Sequence, residues 1–369
     1  MSGLDDVIAA ETRLSDVDGA NGRLVICGRT LDDLAGRTSF EDILALLLGE
    51  AIGLDAGAIR SRLAAARQRA FAEIAHIDAG ILALSITEGL RALMARLTDG
   101  ESADTALLLA AAPAVFVPAL IRRKAGEAVI APDLKRGQAA DMLFMLTGAE
   151  PLPAAISGLD TYLVTVSDHG LNASTFAARV VASTRAGYTS AVLAALGALK
   201  GPLHGGAPGP VLDMLDAIAT PANAATWITA ELDRGERLMG FGHRIYRVRD
   251  PRADALKGAL NRLGEAGGMD ADRLALAEAI ERDALVALRA AKPDRVLDTN
   301  VEYFTALLLE ALGFPRDAFT GVFAAGRVGG WLAHAHEQVA NGRLIRPRSR
   351  YVGLRPQIAP VERFEAARP

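Results

Sequence analysis

Cysteine is nearly absent from this chain of 369 residues, which contains Cys27 alone. A single thiol cannot form an internal disulfide bond, and it excludes a zinc or iron–sulfur site built from several cysteines. Aromatic residues make up only 5% of the chain. Neither sign of charge dominates, because the chain has 40 Lys and Arg residues and 44 Asp and Glu residues, which gives a net charge of −4. Net charge therefore excludes a simple polybasic nucleic-acid-binding protein.

Long hydrophobic runs are also scarce. The most membrane-like stretch, residues 105–121, contains two prolines and is barely long enough to cross a bilayer. We interpret it as a buried helix and expect no membrane association. No basic segment followed by an apolar run opens the chain. We therefore expect no secretory signal and, with a single cysteine, a cytoplasmic protein.

What the chain does contain is enough apolar surface for a large core. Hydrophobic residues make up 51% and charged residues 23%, which is the mix of a globular protein and excludes disorder throughout. A single core stops growing at about 250–300 residues, so we expect two domains. Ala and Leu dominate, and the patterns predict helices over residues 176–199, 272–290 and 301–313. A short apolar run at 24–27 predicts a strand, so the fold is predicted to be all-α with a minor N-terminal β element.

Arginine is concentrated in two clusters. Residues 237–252 contain five arginines and one acidic residue, and residues 343–355 contain five arginines and no acidic residue. The planar guanidinium fork matches carboxylate and phosphate groups, so the clusters indicate anion binding. A solvated basic face is the alternative for either cluster. Neither has the interleaved aromatic residues of a stacking platform for RNA, and we expect no nucleic-acid partner.

Three of the six histidines lie among glycines: His169, His204 and His243. Because helix interiors avoid glycine, these histidines are expected on turns or at helix ends. Each alone is compatible with a structural role, whereas three with one signature indicate catalysis. The sequence after His204 predicts a helix that begins near residues 208–211. The positive end of that helix would keep the His204 ring neutral, and a neutral imidazole can donate a hydrogen bond to an enolate.

Motifs for several other activities are missing. The sequence has no G-x-x-x-x-G-K-[ST] phosphate loop and no G-x-S-x-G nucleophile motif. Gly240 and Gly242 lack the third glycine and the preceding strand of a dinucleotide-binding fingerprint. His334 and His336 are two residues apart, so on a helix their rings point to different sides. We expect both to be ordinary helix residues, and we expect no metal site.

Three segments together carry a specific combination of motifs. Residues 167–215 contain SDHGLNAS and GPLHGGA, residues 239–256 contain GFGHR and RDPR, and residues 300–353 contain a late pair of arginines. Weaker similarity extends to GRLVICGRTLDDLAG and AADMLFMLTGAEP. With these motifs the chain resembles the citrate synthase family, which includes the 2-methylcitrate synthases. The resemblance implies a two-domain helical homodimer. A large dimerisation domain would comprise residues 1–206 plus 301–369, and residues 207–300 would form a small domain that closes over the cleft.

The resemblance also implies an activity, the condensation of acetyl-CoA with oxaloacetate to citrate and CoA. This is an acyltransferase reaction of the tricarboxylic acid cycle, and it needs no metal or permanently bound cofactor. His204 would hold the enolate of acetyl-CoA. His243 would polarise the carbonyl of oxaloacetate and protonate the new alkoxide. The carboxylate base would be Glu302.

Further roles are implied residue by residue. The oxaloacetate carboxylates would be held by His169, Arg252 and Arg327, with Arg346 reaching in from the partner subunit. Asn172 and Ser174 would orient groups around His204. Coenzyme A would be bound through its adenine at Leu238, Met239, Gly240, Phe241 and Gly242, and through its phosphates at Arg247.

One residue departs from the family pattern. Most members carry an aspartate in a motif like N-V-D, whereas this chain has Asn300-Val301-Glu302. Glutamate is longer by one methylene, and a misplacement of about 1 Å can cost about 10²-fold in rate. The backbone could compensate, the enzyme could be slow, or it could prefer propionyl-CoA and make 2-methylcitrate. A weakened paralogue that only binds oxaloacetate, Asp298 as the base, and Glu302 as a residue that only complements the helix dipole also remain open.

Overall fold

The computed structural model describes residues 7–204, 208–243 and 245–354. Within these ranges the chain is mostly helical, and its named strands lie near the N-terminus. This agrees with the all-α fold and minor β element predicted from the sequence. Arg244 and Arg355 of the two arginine clusters, and residues 205–207 after His204, lie outside the described residues.

The described strands are β1 (Ser15–Asp18), β2 (Arg23–Ile26) and β3 (Arg29–Thr30). The described helices are α1 (Leu31–Leu34), α2 (Phe40–Ile52), α3 (Ala56–Ala72), α4 (Ala79–Leu82), α5 (Ile86–Met94), α6 (Ala103–Lys124), α7 (Gln138–Thr147), α8 (Pro153–Thr165), α9 (Ala173–Ala182), α10 (Tyr188–Leu199), α11 (Pro208–Ile218), α12 (Ala224–Asp233), α13 (Pro251–Glu265), α14 (Ala271–Ala291), α15 (Val301–Ala311) and α16 (Phe319–Asn341). Short 3₁₀ turns occupy Glu73–His76, Pro221–Asn223 and Arg316–Ala318.

The N-terminal sheet is a small antiparallel one in the order β1-β2-β3. Val17 lies opposite Leu24 in the hairpin, and Val25 of β2 pairs with Thr30 of β3. Leu24 and Ile26 are fully buried, so one face of β2 belongs to the core. The alternation of buried and more exposed residues along β2 is the pattern of a half-buried strand.

This hairpin connects two loops that carry predicted site residues. The side-chain Oγ of Ser15 accepts a hydrogen bond from the backbone N–H of Gly170 at 2.9 Å, next to His169. The carbonyl oxygen of Gly19 accepts one from the backbone N–H of Arg247 at 2.8 Å. The β element therefore braces the loop before α9 and the loop before α13.

Helix α6 contains the uncharged stretch 105–121. Its N-cap, Ser102, accepts a hydrogen bond from the N–H of Thr105, and its last turn is basic, which suits the negative end of the helix dipole. The helix is long and apolar enough to cross a membrane, but 83% of its most apolar window is buried inside the protein. Helices α3, α5, α7 and α16 pack around it. Its apolar surface is therefore covered by the core, as the sequence predicted.

The single long helix predicted over residues 176–199 is wrong. The structure has two helices there, α9 and α10, separated at residues 183–187. Gly187 has a φ of +93°, which non-glycine residues rarely adopt, and a Cβ at this position would lie 2.1 Å from Oδ1 of Asp99. Asp99 instead accepts hydrogen bonds from the N–H groups of Thr189 and Ser190 at 2.9 and 3.0 Å. This long-range cap starts a new helix and is not visible in local helix propensity.

Two glycines of α16 let that helix pack closely against the end of α8. A Cβ at Gly330 would lie 2.2 Å from the carbonyl oxygen of Ser167, and one at Gly326 would lie 2.5 Å from Cγ2 of Val166. The close approach places Arg327 so that its Nε donates to the carbonyl oxygen of Val166. The glycines thus bring a buried arginine beside the segment that leads to His169.

The division into a large domain of residues 1–206 plus 301–369 and a small domain of residues 207–300 stays a prediction. The two predicted parts are in extensive contact, because α13 packs against α8 and α15. The other helices predicted in this region are present. Helix α14 covers the predicted 272–290, and α15 begins at Val301 as expected.

Candidate active site

One cavity of about 740 Å³ brings together most of the predicted site residues. They come from the loop before α9, the turn before α11, the loop and first turn of α13, the first turn of α15, and α16. Those that line the cavity are His169, Asn172, His204, His243, Arg252, Glu302 and Arg327. The cavity also has apolar walls, which include Val301 and Phe323. A cleft of this size with a few convergent polar groups is the usual form of a small-molecule site.

Several predicted residues lie elsewhere. Ser174 is buried behind His204, whereas Leu238–Gly242 and Arg247 are not among the residues that line the cavity. Arg346 is exposed and lines a separate cavity of about 480 Å³. The predicted roles of these residues in binding coenzyme A, and of Arg346 across a subunit interface, stay predictions.

His204 is held by the first turn of α9. Its Nε2 lies 2.8 Å from Oγ of Ser174 and 3.3 Å from the backbone nitrogen of Ser174. A backbone N–H can only donate, so Nε2 carries the lone pair and the neutral ring keeps its proton on Nδ1. Oγ of Ser174 in turn contacts Oδ1 of Asn172 at 2.8 Å and accepts from Nε1 of Trp331 at 3.1 Å. These contacts hold the ring of His204, and the orienting role of Asn172 and Ser174 stays a prediction.

The ring of His204 is neutral, as the sequence predicted. Burial lowers its pKa to about 4, and the positive charge of Arg327 acts in the same direction. From the sequence we expected the positive end of the next helix to be the cause. The structure shows desolvation and a buried arginine as the leading causes instead. A neutral ring with its proton on Nδ1 is a hydrogen-bond donor at physiological pH.

His243 has the opposite tautomer. Its Nδ1 accepts hydrogen bonds from the backbone N–H groups of Ile245 and Tyr246 at 3.0 and 3.1 Å. The proton of the neutral ring is therefore on Nε2, which lies 3.0 Å from a terminal nitrogen of Arg252. Burial lowers the pKa of His243 to about 4, and Arg252 lowers it further. The Nε2–H of His243 and an N–H of Arg252 thus form a pair of adjacent donors.

Arg252 is fixed by the residue that caps its helix. Asp250 is the N-cap of α13, and its two carboxylate oxygens accept from Nε and a terminal nitrogen of Arg252 at 3.0 and 2.8 Å. The same carboxylate accepts from the backbone N–H of Val301 at 3.2 Å. Asp250 therefore joins the start of α13 to the start of α15, where Glu302 lies. The RDPR motif contains Asp250, but the sequence reasoning did not single it out.

Arg327 supplies a second buried cation. It is 1% exposed, and its guanidinium carbon lies 4.9 Å from the ring centroid of Phe323. Burial lowers the pKa of Arg327 to about 10, while the charge of Asp168 raises it and that of Arg252 lowers it. The side chain still carries its positive charge at neutral pH. Two buried arginines therefore face one cavity, as the prediction of an anion site requires.

Glu302 lies between these cations in the first turn of α15. Its backbone N–H donates to the N-cap Asn300 at 2.9 Å. The backbone N–H of Asn300 donates to the carbonyl of Gly240 at 2.9 Å, and its side chain donates to the carbonyl of Gly242 at 2.7 Å. The segment before Glu302 is thus paired with the segment before His243. Burial raises the pKa of Glu302 to about 7, although the charges of Arg252 and Arg327 lower it.

Asp298, the alternative base, does not line the cavity. Its carboxylate accepts from the backbone N–H of Thr299 at 2.9 Å and lies 3.5 Å from a terminal nitrogen of Arg249. These contacts engage the carboxylate away from the paired donors of His243 and Arg252. Among the two acidic residues considered from the sequence, Glu302 is the one that faces the cavity.

Comparison with known proteins identifies the family of the chain. A family model described as "Citrate synthase, C-terminal domain" matches residues 3–348. The chain belongs to the citrate synthase family.

Individual relatives match over nearly their whole length. The citrate synthase of Haloferax volcanii is 38% identical over 377 residues, which cover 95% of each chain. A 2-methylcitrate synthase of Mycobacterium tuberculosis is 34% identical, over 97% of this chain and 92% of its own. The citrate synthase of Thermoplasma acidophilum, solved in a ternary complex with carboxymethyl coenzyme A and oxaloacetate, has a TM-score of 0.83 at 28% identity, over 96% of this chain and 97% of that one.

Behind this citrate synthase-type site lies a buried polar chain that the sequence reasoning missed. Arg179 donates to Nδ1 of His334 at 2.9 Å, so Nε2 of His334 carries the proton and donates to Asp168 at 3.2 Å. Asp168 immediately precedes His169. His334 was expected to be an ordinary helix residue. It instead anchors the loop that carries His169, a predicted substrate-binding residue. His336 points elsewhere and contacts the hydroxyl of Tyr188 at 2.8 Å, so the two rings do face different sides.

The elevated pKa of Glu302 is directly testable. In the unliganded protein its carboxyl group is expected to titrate near pH 7, so it is mostly protonated below and mostly charged above that pH. The measurement is a ¹³C NMR titration of glutamate- and aspartate-labelled protein, with Glu302→Gln to assign the signal. Asp160, whose pKa burial also raises to about 7, provides an internal reference that this variant leaves in place. A Glu302 transition near 4.5 would contradict the assigned environment.

Proposed function

We propose that this protein condenses acetyl-CoA with oxaloacetate to give citrate and CoA. The observation that carries the proposal is the convergence of two neutral imidazoles, His204 and His243, on one cavity with the carboxyl group of Glu302. Membership of the citrate synthase family supports condensation of an acyl-CoA with oxaloacetate as the reaction class. The related Thermoplasma enzyme was solved with oxaloacetate and a coenzyme A derivative together, which supports the same pair of ligands here.

The cationic wall of the cavity suits a dicarboxylate. Arg252 and Arg327 are buried, and their charges are offset by Asp250 and Asp168 on the sides away from the cavity. The Nε2 of His243 and a terminal nitrogen of Arg252 lie 3.0 Å apart, so one oxygen atom of oxaloacetate would accept hydrogen bonds from both groups. His169 completes this wall, and Arg346 from the partner subunit would add a further guanidinium group. Charge-assisted hydrogen bonds of this kind are the strong ones in a desolvated site.

The first chemical step is removal of a proton from the methyl carbon of the acyl group. Glu302 accepts that proton, and a carboxylate with a pKa near 7 is a stronger base than an ordinary one while still charged for part of the time at neutral pH. Negative charge develops on the thioester oxygen as the proton leaves. The Nδ1–H of His204 donates a hydrogen bond to that oxygen. Because the ring is neutral, it stabilises the enolate without a net charge to desolvate.

The second step forms the carbon–carbon bond. The enolate carbon attacks the ketone carbon of oxaloacetate, whose oxygen is polarised by the Nε2–H of His243. That proton passes to the oxygen as it becomes an alkoxide, so the product is a hydroxyl group. The proton that Glu302 took from the methyl carbon balances the one that His243 gives up, and both groups return to their starting states during the hydrolysis that follows. Water then hydrolyses the citryl thioester and releases CoA. The backbone N–H groups of Ile245 and Tyr246 hold the ring of His243 for this transfer.

Propionyl-CoA is the alternative acyl substrate, and it would give 2-methylcitrate. The observation in its favour is the 2-methylcitrate synthase among the relatives, at 34% identity. One methylene in a pocket is worth only about 1–3 kcal/mol, so acetyl and propionyl groups differ little in binding. The third hypothesis is a paralogue with weakened catalytic activity that still binds oxaloacetate. It is based on the presence of Glu302 where most of the family has aspartate.

We also propose the context in which the reaction takes place. The protein would act in the cytoplasm as a homodimer, with the exposed Arg346 of each chain entering the other subunit's cleft. Residues 207–300 would close over the bound substrates and keep the enolate from water. The exposed position of Arg346, outside the cavity of its own chain, supports this arrangement.

A thiol-release assay tests the proposed reaction. The protein mixed with oxaloacetate and acetyl-CoA is expected to release free CoA at a higher kcat/KM than with propionyl-CoA. The difference should be about tenfold, as one methylene allows. Reversed preference would establish the 2-methylcitrate reading. Release with neither acyl-CoA, together with oxaloacetate binding by calorimetry, would contradict the proposal and favour the weakened paralogue.

Two substitutions separate chemistry from substrate binding. His204→Ala is expected to lower kcat by about 10²–10³-fold, since it removes the donor to the enolate, while oxaloacetate affinity stays within about threefold. Arg327→Ala is expected to weaken oxaloacetate binding by at least about tenfold. His76→Ala, which removes an exposed histidine outside the cavity, is the matched control for handling and folding. An unchanged rate in His204→Ala would show the assigned mechanism to be wrong.

A further inference from the structure

Tyr246 contacts three of the residues assigned to oxaloacetate. Its hydroxyl oxygen lies 3.1 Å from Nε2 of His169, and its backbone N–H donates to Nδ1 of His243 at 3.1 Å. Its ring centroid lies 4.8 Å from that of His243, and the guanidinium carbon of Arg252 lies 5.6 Å from the Tyr246 ring. The side chain is 2% exposed and does not line the cavity. Tyr246 therefore lies behind residues that line the cavity.

The hydroxyl of Tyr246 is suited to fix a neutral imidazole. Burial raises its pKa further above its ordinary value, so the phenol keeps its proton. Burial and the nearby arginines hold the pKa of His169 well below its usual range, so that ring is neutral too. A neutral ring has one N–H and one lone pair, and it can turn over or exchange tautomers unless a partner selects one arrangement. The hydroxyl 3.1 Å from Nε2 is a partner that holds the ring in one orientation, because a phenol can donate to or accept from this nitrogen in either tautomer.

The contact also joins two separate parts of the chain. His169 lies in the loop before α9, whereas His243 and Tyr246 lie in the segment that leads into α13 and Arg252 lies in the first turn of α13. The rings of His169 and His243 stand 6.0 Å apart, with the Tyr246 ring near both. The hydrogen bond between Tyr246 and His169 therefore sets the distance between His169 and the His243–Arg252 pair, which would bind the same small molecule.

We propose that Tyr246 is a positioning residue for oxaloacetate, which holds His169 in one orientation against the His243–Arg252 pair. The inference rests on the proposed function for the identity of the ligand. Without the hydroxyl, His169 must be ordered when the ligand binds. Ordering one side chain costs about 0.5–1.5 kcal/mol at an interface, which is about a two- to tenfold loss of affinity. The hydrogen bonds and ring contacts described for Tyr246 involve neither His204 nor Glu302, so we expect the acyl chemistry to be spared.

Tyr246→Phe removes only the hydroxyl and keeps the buried ring. Tyr188→Phe is the matched control, because Tyr188 is equally buried and its hydroxyl contacts the ring of His336, away from the cavity. In Tyr246→Phe we expect the KM for oxaloacetate, and its Kd by calorimetry without acyl-CoA, to rise about two- to tenfold. The kcat is expected to stay within about threefold. Equal oxaloacetate constants in the two variants would overturn the proposal.

A second measurement does not depend on the reaction. ¹⁵N NMR of histidine-labelled protein reports the tautomer of each of the six rings, and His169→Gln assigns the relevant signal. We expect one sharp His169 signal in the unsubstituted chain and in Tyr188→Phe, and a shifted or broadened signal in Tyr246→Phe, because the ring loses the hydrogen bond that orders it. An unchanged His169 signal in Tyr246→Phe would also overturn the proposal. If the unsubstituted protein failed to bind oxaloacetate, the proposed function would fall, whereas these spectra would still decide the role of Tyr246.

Discussion

The buried carboxylate of Asp250 is the contact on which the geometry of the site depends. It accepts two hydrogen bonds from the side chain of Arg252, one from the backbone N–H of Arg252 and one from the backbone N–H of Val301. A single ion pair therefore fixes a guanidinium group beside His243 and fixes the first turn of α15, which carries Glu302. Removing one partner of such a buried pair leaves an uncompensated charge and costs several kcal/mol, roughly 3–5. Asp250 therefore positions both the guanidinium group of Arg252 and the helix that carries Glu302.

The same burial sets the protonation states that the chemistry needs. Desolvation keeps His204 and His243 neutral and raises the pKa of Glu302, and the field of Arg252 and Arg327 reinforces the first effect and opposes the second. Hydrogen bonds from backbone N–H groups then select opposite tautomers in the two histidines. The cavity therefore holds one N–H donor on His204 for the proposed enolate step, one on His243 for the proposed bond-forming step, and the carboxyl group of Glu302 as the base.

Much of this was predictable from the sequence, and the parts that were not have a common cause. The all-α class, the N-terminal β element and the helix at Val301 follow from local patterns, and the cavity gathers the three glycine-flanked histidines with Arg252 and Arg327. Local patterns could not show the break at Gly187, because Asp99 makes it from a distance. They also could not show that His334 binds Asp168, or that Tyr246 reaches His169. Each of these depends on partners far apart in the chain.

The central claim is that Glu302 performs the proton transfer that the family assigns to an aspartate. The most direct test is the turnover rate of Glu302→Gln, which keeps the size of the side chain and removes the base. The account predicts a loss of at least about 10²-fold in kcat, with oxaloacetate affinity equal to or tighter than that of the unsubstituted protein, because a negative charge near the dianion is removed. A Glu302→Gln protein that turns over within about threefold of the original rate would contradict it.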